Sequence, residues 1–308
     1  MNARDCREAS STKKTRNILS QNPMVERSVK FSLVLATVGR SEEVSRLLGS
    51  LTLQTYSRFD VVVVDQNSDG RLMPILDRYS DRLSIIRVHS EGPLSRARNR
   101  GLQEVRGTVI GFPDDDGWYP PDLLQRLALF FSDPSNDEWD GVAGKAVDKA
   151  GDPLWRFDRR AGRISKYNVW RRATAHSIFL RAEAVRVVGT FDETLGLPHS
   201  SGEDIDYILQ LIGMGCEVLY LPSILVYHPR YEPGKDREGS YTERTYRYMK
   251  GMGLVLRKHA FPLSFLMYWQ ARSLVGMAVS LVRGRMTDAT RHLAALKGRL
   301  AGWFDSAG

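Results

Sequence analysis

The sequence predicts an open α/β sheet, mostly parallel, with helices on both faces and a helical C-terminal extension. Two observations carry this. Between residues 31 and 132, short apolar runs rich in β-branched residues alternate with segments of helical periodicity, and beyond Pro233 that alternation gives way to long stretches rich in aromatics, methionine and arginine.

From Phe31, "FSLVLATVGR" reads as a strand that ends in a loop. In the next segment, "SEEVSRLLGSLTLQT", Val44, Leu47, Leu48 and Leu51 recur at helical spacing, and Ser41 with Glu42 and Glu43 supplies a helix start. "FDVVVVDQNSDG" is a continuous apolar run bounded by turn residues, the pattern of a strand buried on both faces. The alternation continues with "LSIIRVHS" as a strand, "PLSRARNRGLQEVR" as a helix, "GTVIGFPDDD" as a strand and "PPDLLQRLALFFS" as a helix. Three parallel crossovers follow, and ligands of such sheets sit beyond the carboxyl ends of the strands. Asp65 and the carboxylates at 114 to 116 fall at such ends and are expected to share one crevice.

Residues 139 to 230 are more mixed, with "WDGVAGKAV" and "CEVLYLPSILVYH" as strands and "GEDIDYILQLIGMG" as a helix closed by Gly213 or Gly215. After Pro233, "SYTERTYRYMKGMGLVLRKHAF" and "PLSFLMYWQARSLVGMAVSLVRGR" are helical. The expected division is a loosely attached leader over 1–28, an α/β region over 29–232 that divides near 138, and a basic amphipathic region over 233–308.

A length of 308 residues allows one large domain or two small ones, and 42% hydrophobic with 26% charged residues is ordinary for a soluble protein. Two cysteines, Cys6 and Cys216, make neither a disulfide framework nor a cysteine metal site, which fits a reducing compartment. The net charge of +8 is uneven: 7 Lys/Arg against 3 Asp/Glu over residues 1–30, 23 against 27 over 31–229, and 14 against 6 over 230–308. The basic character therefore belongs to the ends, as a solvated face or as a surface for membrane or nucleic acid. The first 28 residues hold no apolar run of signal-peptide length, so a cytoplasmic location is expected.

"GFPDDDGWYPPDLL" crowds Asp114, Asp115 and Asp116 at a strand end, where their repulsion is expected to go unanswered without a cation. A solvated acidic cap on the following helix is the other reading, since acids stabilise helix N-termini and Pro120 with Pro121 marks one. Mg²⁺ or Mn²⁺ takes oxygen ligands and often keeps only one or two carboxylates beside substrate phosphates, which suits Asp-x-Asp spacing.

On these residues the chain resembles the family 2 glycosyltransferases, inverting enzymes with the GT-A fold. The matching stretches are "VVVVDQNSDG", "PLSRARNRGL", "GFPDDDGWYPPDLL", "GTFDE" and "GEDIDYILQLIGMG", which cover roughly residues 31 to 230 in the family's order. The resemblance implies a nucleotide-diphosphate sugar donor, with Asp65 on the base and Thr37 with Arg40 in the loop that cups the nucleoside. Gln66 stands where many members carry a second Asp. Arg96, Arg98 and Asn99 match the segment facing ribose, diphosphate or donor sugar; as residues, they equally form a solvated helix face. Asp114 and Asp116 match the D-x-D pair, with Asp116 on the metal, Asp114 reaching it directly or through ribose or water, and Asp115 orienting the pair. His228 in "LVYHPR" lies where some members place a further metal ligand, and is otherwise a polar strand end. Asp204 matches the base that removes the acceptor hydroxyl proton and Glu203 its support; an acidic helix cap is the plainer reading of both. His176 falls in the segment that lines the acceptor pocket, and Trp118, Trp155 and Trp170 are candidate sugar-stacking rings or simple packing residues.

The Q-x-x-R-W element of processive synthases is absent, so the expected activity is transfer of a single sugar to a glycan or lipid-linked acceptor, in polysaccharide or glycoconjugate biosynthesis. The run from Phe261 to Val282 is interrupted by Gln270 and Arg272 and flanked by Arg257, Lys258, Arg283 and Arg285, which suits a helix lying on an anionic inner leaflet. Otherwise these helices pack on the catalytic region or on a second copy of the chain as a homodimer. A nucleotidyltransferase would open with a Gly-rich basic loop after the first strand, whereas "ATVGRSEE" has Gly39 alone. A glycan-binding scaffold on the same fold would tolerate loss of Asp116 and Asp204, and both are present. Nucleic-acid binding is disfavoured, because the basic residues lie among long apolar runs.

Overall fold

The computed structural model describes residues 29–196, 200–230 and 240–305. The leader read over 1–28 lies outside the described residues, as does the junction at 231–239. The described chain forms two compact units, one of residues 29–92, 96–190 and 207–229, the other of residues 93–95, 191–196, 200–206, 230 and 240–305.

The first unit holds an eight-stranded sheet. Its first half follows the expected alternation, with one helix, α2, that the sequence reading did not include: β1 (Phe31–Thr37), α1 (Glu42–Leu51), β2 (Phe59–Asp65), α2 (Met73–Ser80), β3 (Ile85–His89), α3 (Leu94–Leu102), β4 (Val109–Gly111) and α4 (Leu123–Ser132). β1 is buried along its whole length and β2 along all but its first residue, as their unbroken apolar runs require. α1 turns Val44, Leu47, Leu48 and Leu51 inward. Its Ser41 makes no side-chain cap, and α4 begins at Leu123, beyond the Pro-Pro pair.

The second half adds β5 (Gly141–Val147), β6 (Gly162–Arg163), β7 (Ile178–Arg181), α5 (Ala182–Val188), α6 (Glu203–Gly213) and β8 (Val218–Tyr227). The strand order is β3-β2-β1-β4-β7-β5-β8-β6. β3, β2, β1 and β4 run parallel, as do β5 and β8, while β7 is antiparallel to both β4 and β5, and β6 to β8. The sheet is thus parallel through its first half and mixed beyond it. α6 ends at Gly213, and Gly215 just after it has a φ of +83°.

Gly101 explains the glycine of "ARNRG". A Cβ there would run into the side chains of Val34 on β1 and Val64 on β2, so only glycine lets α3 lie this close to the sheet.

The second unit contains three long helices, α7 (Tyr241–Lys258), α8 (Leu263–Val282) and α9 (Met286–Phe304). α7 opens with a complete capping box, Ser240 and Glu243 each accepting the other's backbone N–H. α9 was not legible in the hydropathy, because its buried face is made of Ala289, Ala294, Ala295, Gly298 and Gly302 together with Arg299.

Candidate active site

The carboxyl ends of β1, β2 and β4 lie side by side: Thr37 pairs with Asp65 in the register of β1 and β2, and β4 leads from Gly111 into the acidic turn. The crevice expected there is therefore assembled within one unit.

Asp65 is fully buried. Its Oδ1 accepts from the backbone N–H (3.0 Å) and side-chain amide (2.7 Å) of Asn67, and its Oδ2 from Nε (3.0 Å) and Nη2 (2.8 Å) of Arg87. Burial alone would raise this carboxyl, but the Asn67 N–H and the Arg87 guanidinium outweigh it and hold it below the usual range. The amide of Gln66 donates to the Gly92 carbonyl (2.7 Å), and Asn67 accepts from the Gly39 N–H (2.6 Å), which ties the loops after β1, β2 and β3 together.

The three aspartates take separate roles. Asp115 is buried and points back to β1, where Thr37 Oγ1 donates to it at 2.7 Å and Arg40 Nη1 at 2.5 Å. Burial pushes its carboxyl up to about 6, against Arg40 and Thr37, so it remains mostly ionised at neutral pH. Asp116 meets Arg40 at 2.8 Å and His228 Nε2 at 3.0 Å. Asp114 accepts from His176 Nδ1 at 2.9 Å, lies 3.4 Å from Arg98 Nη2, and stands 4.0 Å from His228 Nε2. For Asp114 and Asp116 burial would raise the carboxyl, yet these basic partners bring both below the ordinary value.

The expectation that the acids would repel one another unanswered is corrected here. Arg40, Arg98, His176 and His228 interleave with them, so the cluster is balanced by the protein's own bases. Fitness for a cation rests on a different observation. One ligand atom from each of Asp114, Asp116 and His228 lies within 4.8 Å of the others. Ligands about 2.1 Å from a shared ion stand at most about 4.2 Å apart, so small side-chain movements would close this set on Mg²⁺ or Mn²⁺. His228 Nδ1 donates to the Pro229 carbonyl (2.8 Å), which turns Nε2 towards the acids and leaves it as the ring's ligand atom.

The remaining candidates divide. Arg98 and Asn99 are buried on α3 while Arg96 is exposed, so the helix-face reading describes Arg96 and not Arg98. His176, buried, spends Nδ1 on Asp114 and stacks on His228 at 5.2 Å between centroids. Trp118 packs its ring on Tyr227 (5.5 Å) and carries the Arg46 guanidinium at 4.9 Å. Trp170 lies half-buried in the short helical turn Val169–Arg171, and Trp155 is exposed, edge-on to His176 at 6.0 Å. Glu203 and Asp204 open α6 and belong to the second unit; Glu203 is buried, and Asp204 caps its own helix by accepting from the Ile205 N–H (2.8 Å).

Arg46, Asn67 and Arg87 complete the site and were not singled out from sequence. Arg46 donates to the Asp116 carbonyl at 2.6 Å from the solvent side of α1, a position with no sequence mark beyond its charge.

Comparison with known proteins identifies the family and the fold. The profile described as "Glycosyl transferase family 2" matches residues 32–188, just over half of the chain. The chain is 24% identical over 205 residues to glycosyltransferase AglE of Haloferax volcanii, covering 64% of this chain and 66% of AglE. It is 29% identical over 129 residues to poly(ribitol-phosphate) beta-N-acetylglucosaminyltransferase TarS of Staphylococcus aureus, covering 39% of this chain and 22% of TarS. In fold it is similar to the mannosyltransferase PcManGT of Pyrobaculum calidifontis, solved with GDP-Man and Mn²⁺, with a TM-score of 0.64 at 13% identity over 99% of this chain and 96% of that one. TarS residues 1–349 with UDP-GlcNAc align with a TM-score of 0.58 at 17% identity over 87% of this chain and 90% of theirs. The sheet is that of the GT-A fold, and the chain belongs to glycosyl transferase family 2.

Proposed function

We propose that this enzyme moves one sugar, with inversion, from a nucleotide-diphosphate donor to a glycan or lipid-linked acceptor, with Mg²⁺ or Mn²⁺ held by Asp116, Asp114 and His228. The observation that carries the reading is the convergence of those three side chains at the carboxyl ends of the parallel strands. The solved neighbours bound to UDP-GlcNAc and to GDP-Man with Mn²⁺ support the donor class and the ion.

In this reading Asp65, whose four lone-pair positions are taken by Asn67 and Arg87, meets a nucleotide base by exchanging one of these hydrogen bonds for one from the base. Thr37 and Arg40 act through Asp115, locking the turn that presents Asp114 and Asp116. Arg98 and Arg96 offer positive charge to the diphosphate. When bound, the cation would offset the charge that the diphosphate gains as it leaves. Asp204 takes the proton of the acceptor hydroxyl while that oxygen bonds to the anomeric carbon and the carbon–phosphate oxygen bond breaks towards the diphosphate. Glu203 supports Asp204, and the C-terminal region brings the enzyme to an anionic membrane surface where a lipid-linked acceptor would be met, in polysaccharide or glycoconjugate synthesis.

A calorimetric panel of UDP- and GDP-sugars, each with and without Mn²⁺, tests this. One donor should bind in a metal-dependent way; Asp116→Ala should lose that dependence, and Asp204→Asn should bind the donor but not transfer. Unchanged donor affinity in Asp116→Ala would refute the metal assignment.

A further inference from the structure

α8 is built inside out. Its buried residues are Leu266, Gln270, Ser273 and Ser280, while its exposed arc carries Leu263, Met267, Tyr268, Leu274, Val275, Val279, Leu281 and Val282. A helix of a water-soluble unit shows the reverse, apolar residues inward and polar ones outward. The inward polar groups are not accidental, because they meet a buried arginine from α9. Arg299 donates through Nε to Gln270 (3.2 Å) and through Nη2 to the Trp269 carbonyl (3.0 Å) and Ser273 (2.5 Å), and Gln270 donates in turn to the Leu296 carbonyl (3.2 Å). Burial pulls the Arg299 guanidinium down to about 10, which leaves it charged at neutral pH. Polar residues joining helices, small residues at their crossings and large apolar residues outward are the packing rules of helices facing lipid.

The exposed arc also has its charges arranged. Residues 259–287 contain Arg272, Arg283 and Arg285 and no Asp or Glu. Arg272 donates to the Tyr268 hydroxyl (3.2 Å), and its guanidinium lies 5.7 Å from the ring of Tyr268 and 5.6 Å from that of Trp269. An arginine folded over a tyrosine and a tryptophan, beside an apolar face, is the composition that settles at lipid headgroups.

We infer that the outer face of α8 inserts in-plane into the outermost layer of an anionic phospholipid leaflet, with Arg272, Arg283 and Arg285 at the phosphates. This deepens the membrane contact of the reading above and rests on it. α8 is long and apolar enough to cross a bilayer, yet crossing is disfavoured. α9 packs along it and would be drawn in with Asp288, Arg291, His292 and Lys297, and Arg272 would stand near mid-bilayer. A second copy of the chain is the competing occupant. An isologous contact through this face would set the same arginines against one another, with no acid on the stretch to answer them.

The test is flotation of the full chain with vesicles of phosphatidylcholine alone and of phosphatidylcholine with one-third phosphatidylglycerol, at low and high salt. The wild type should float with the anionic vesicles and lose most of that binding in high salt. Val275→Asp with Val279→Asp, both at exposed positions, should weaken partition by more than about tenfold, and Arg272→Gln by about fivefold. Equal flotation of the double variant and the wild type would overturn the proposal. So would a wild type that stays with the soluble fraction and sediments as a dimer that the double variant dissociates. Release of sugar from the donor in vesicle-free buffer should be unaffected by the double variant. A wild type that turns over but does not float removes only this inference, and a wild type that floats but does not turn over removes only the glycosyl-transfer mechanism.

Discussion

His228 binds a proton where a cation would otherwise sit. Burial alone would lower the ring, but Asp116 and Asp114 push it up to about 8, so in the ion-free protein Nε2 is protonated at neutral pH. An incoming ion must displace that proton, and apparent Mn²⁺ affinity should therefore rise about tenfold per pH unit below about 8 and level off above it. Calorimetry in buffers of different ionisation enthalpy would show the released proton. Loss of an outer-shell partner costs about 10–100-fold in metal affinity, so His228→Ala, which removes a ligand, should cost at least about tenfold. Asp65 couples pH to folding instead of to the ion. Its folded value lies below its unfolded one, so the stability it supplies is present above about pH 4 and is lost as pH falls through the folded value. Asp65→Asn should flatten the acid limb of a urea-midpoint series from neutral pH downward. The acidic cluster could be read from residue type at a strand end, while His228 was drawn to it by the family resemblance alone. The partners of Thr37 and His176 could not, because Thr37 and Asp115 are 78 residues apart and meet only because β1 and β4 are neighbours.

Helices that pack through large residues announce themselves in sequence, and those that pack through small ones do not. α1 was legible from four inward apolar side chains, whereas α2 buries only Leu76 and Tyr79 over eight residues and carries a proline in its first turn, so its period never emerged. α9 was missed for a related reason. A Cβ on Gly302 would collide with the backbone of Lys250 and Leu254, and one on Gly253 with the backbone of Arg299, Gly302 and Trp303, so α7 and α9 approach nearly backbone to backbone. Gly302→Val should thus destabilise the helical unit by about 1–3 kcal/mol or more, read as a lowered urea midpoint. Ser240→Ala breaks the capping box of α7 and should cost about 1 kcal/mol in the same assay.

Taken across the chain, charge is sorted by task. The 230–308 region carries 14 basic against 6 acidic residues, and residues 31–229 are mildly acidic, with Asp65, Asp114, Asp115 and Asp116 at or just beyond strand ends. Ion binding to the native fold alone should stabilise it by mass action. At a free Mn²⁺ concentration 100 times the Kd the gain is about 2.7 kcal/mol, a rise of about 5–10 °C in Tm for a unit of this size. Asp116→Ala should show no such rise in differential scanning calorimetry.

Trp118 and Tyr227 exchange backbone hydrogen bonds at 3.0 and 2.9 Å, which rivets the acidic turn to the end of β8 one residue before His228. Asp116 and His228 are therefore parts of one stiff hairpin-like patch, and only side chains need move for the proposed ion to be held. Ion uptake should then follow a single hyperbola with no lag in stopped-flow, since no loop has to search for its place.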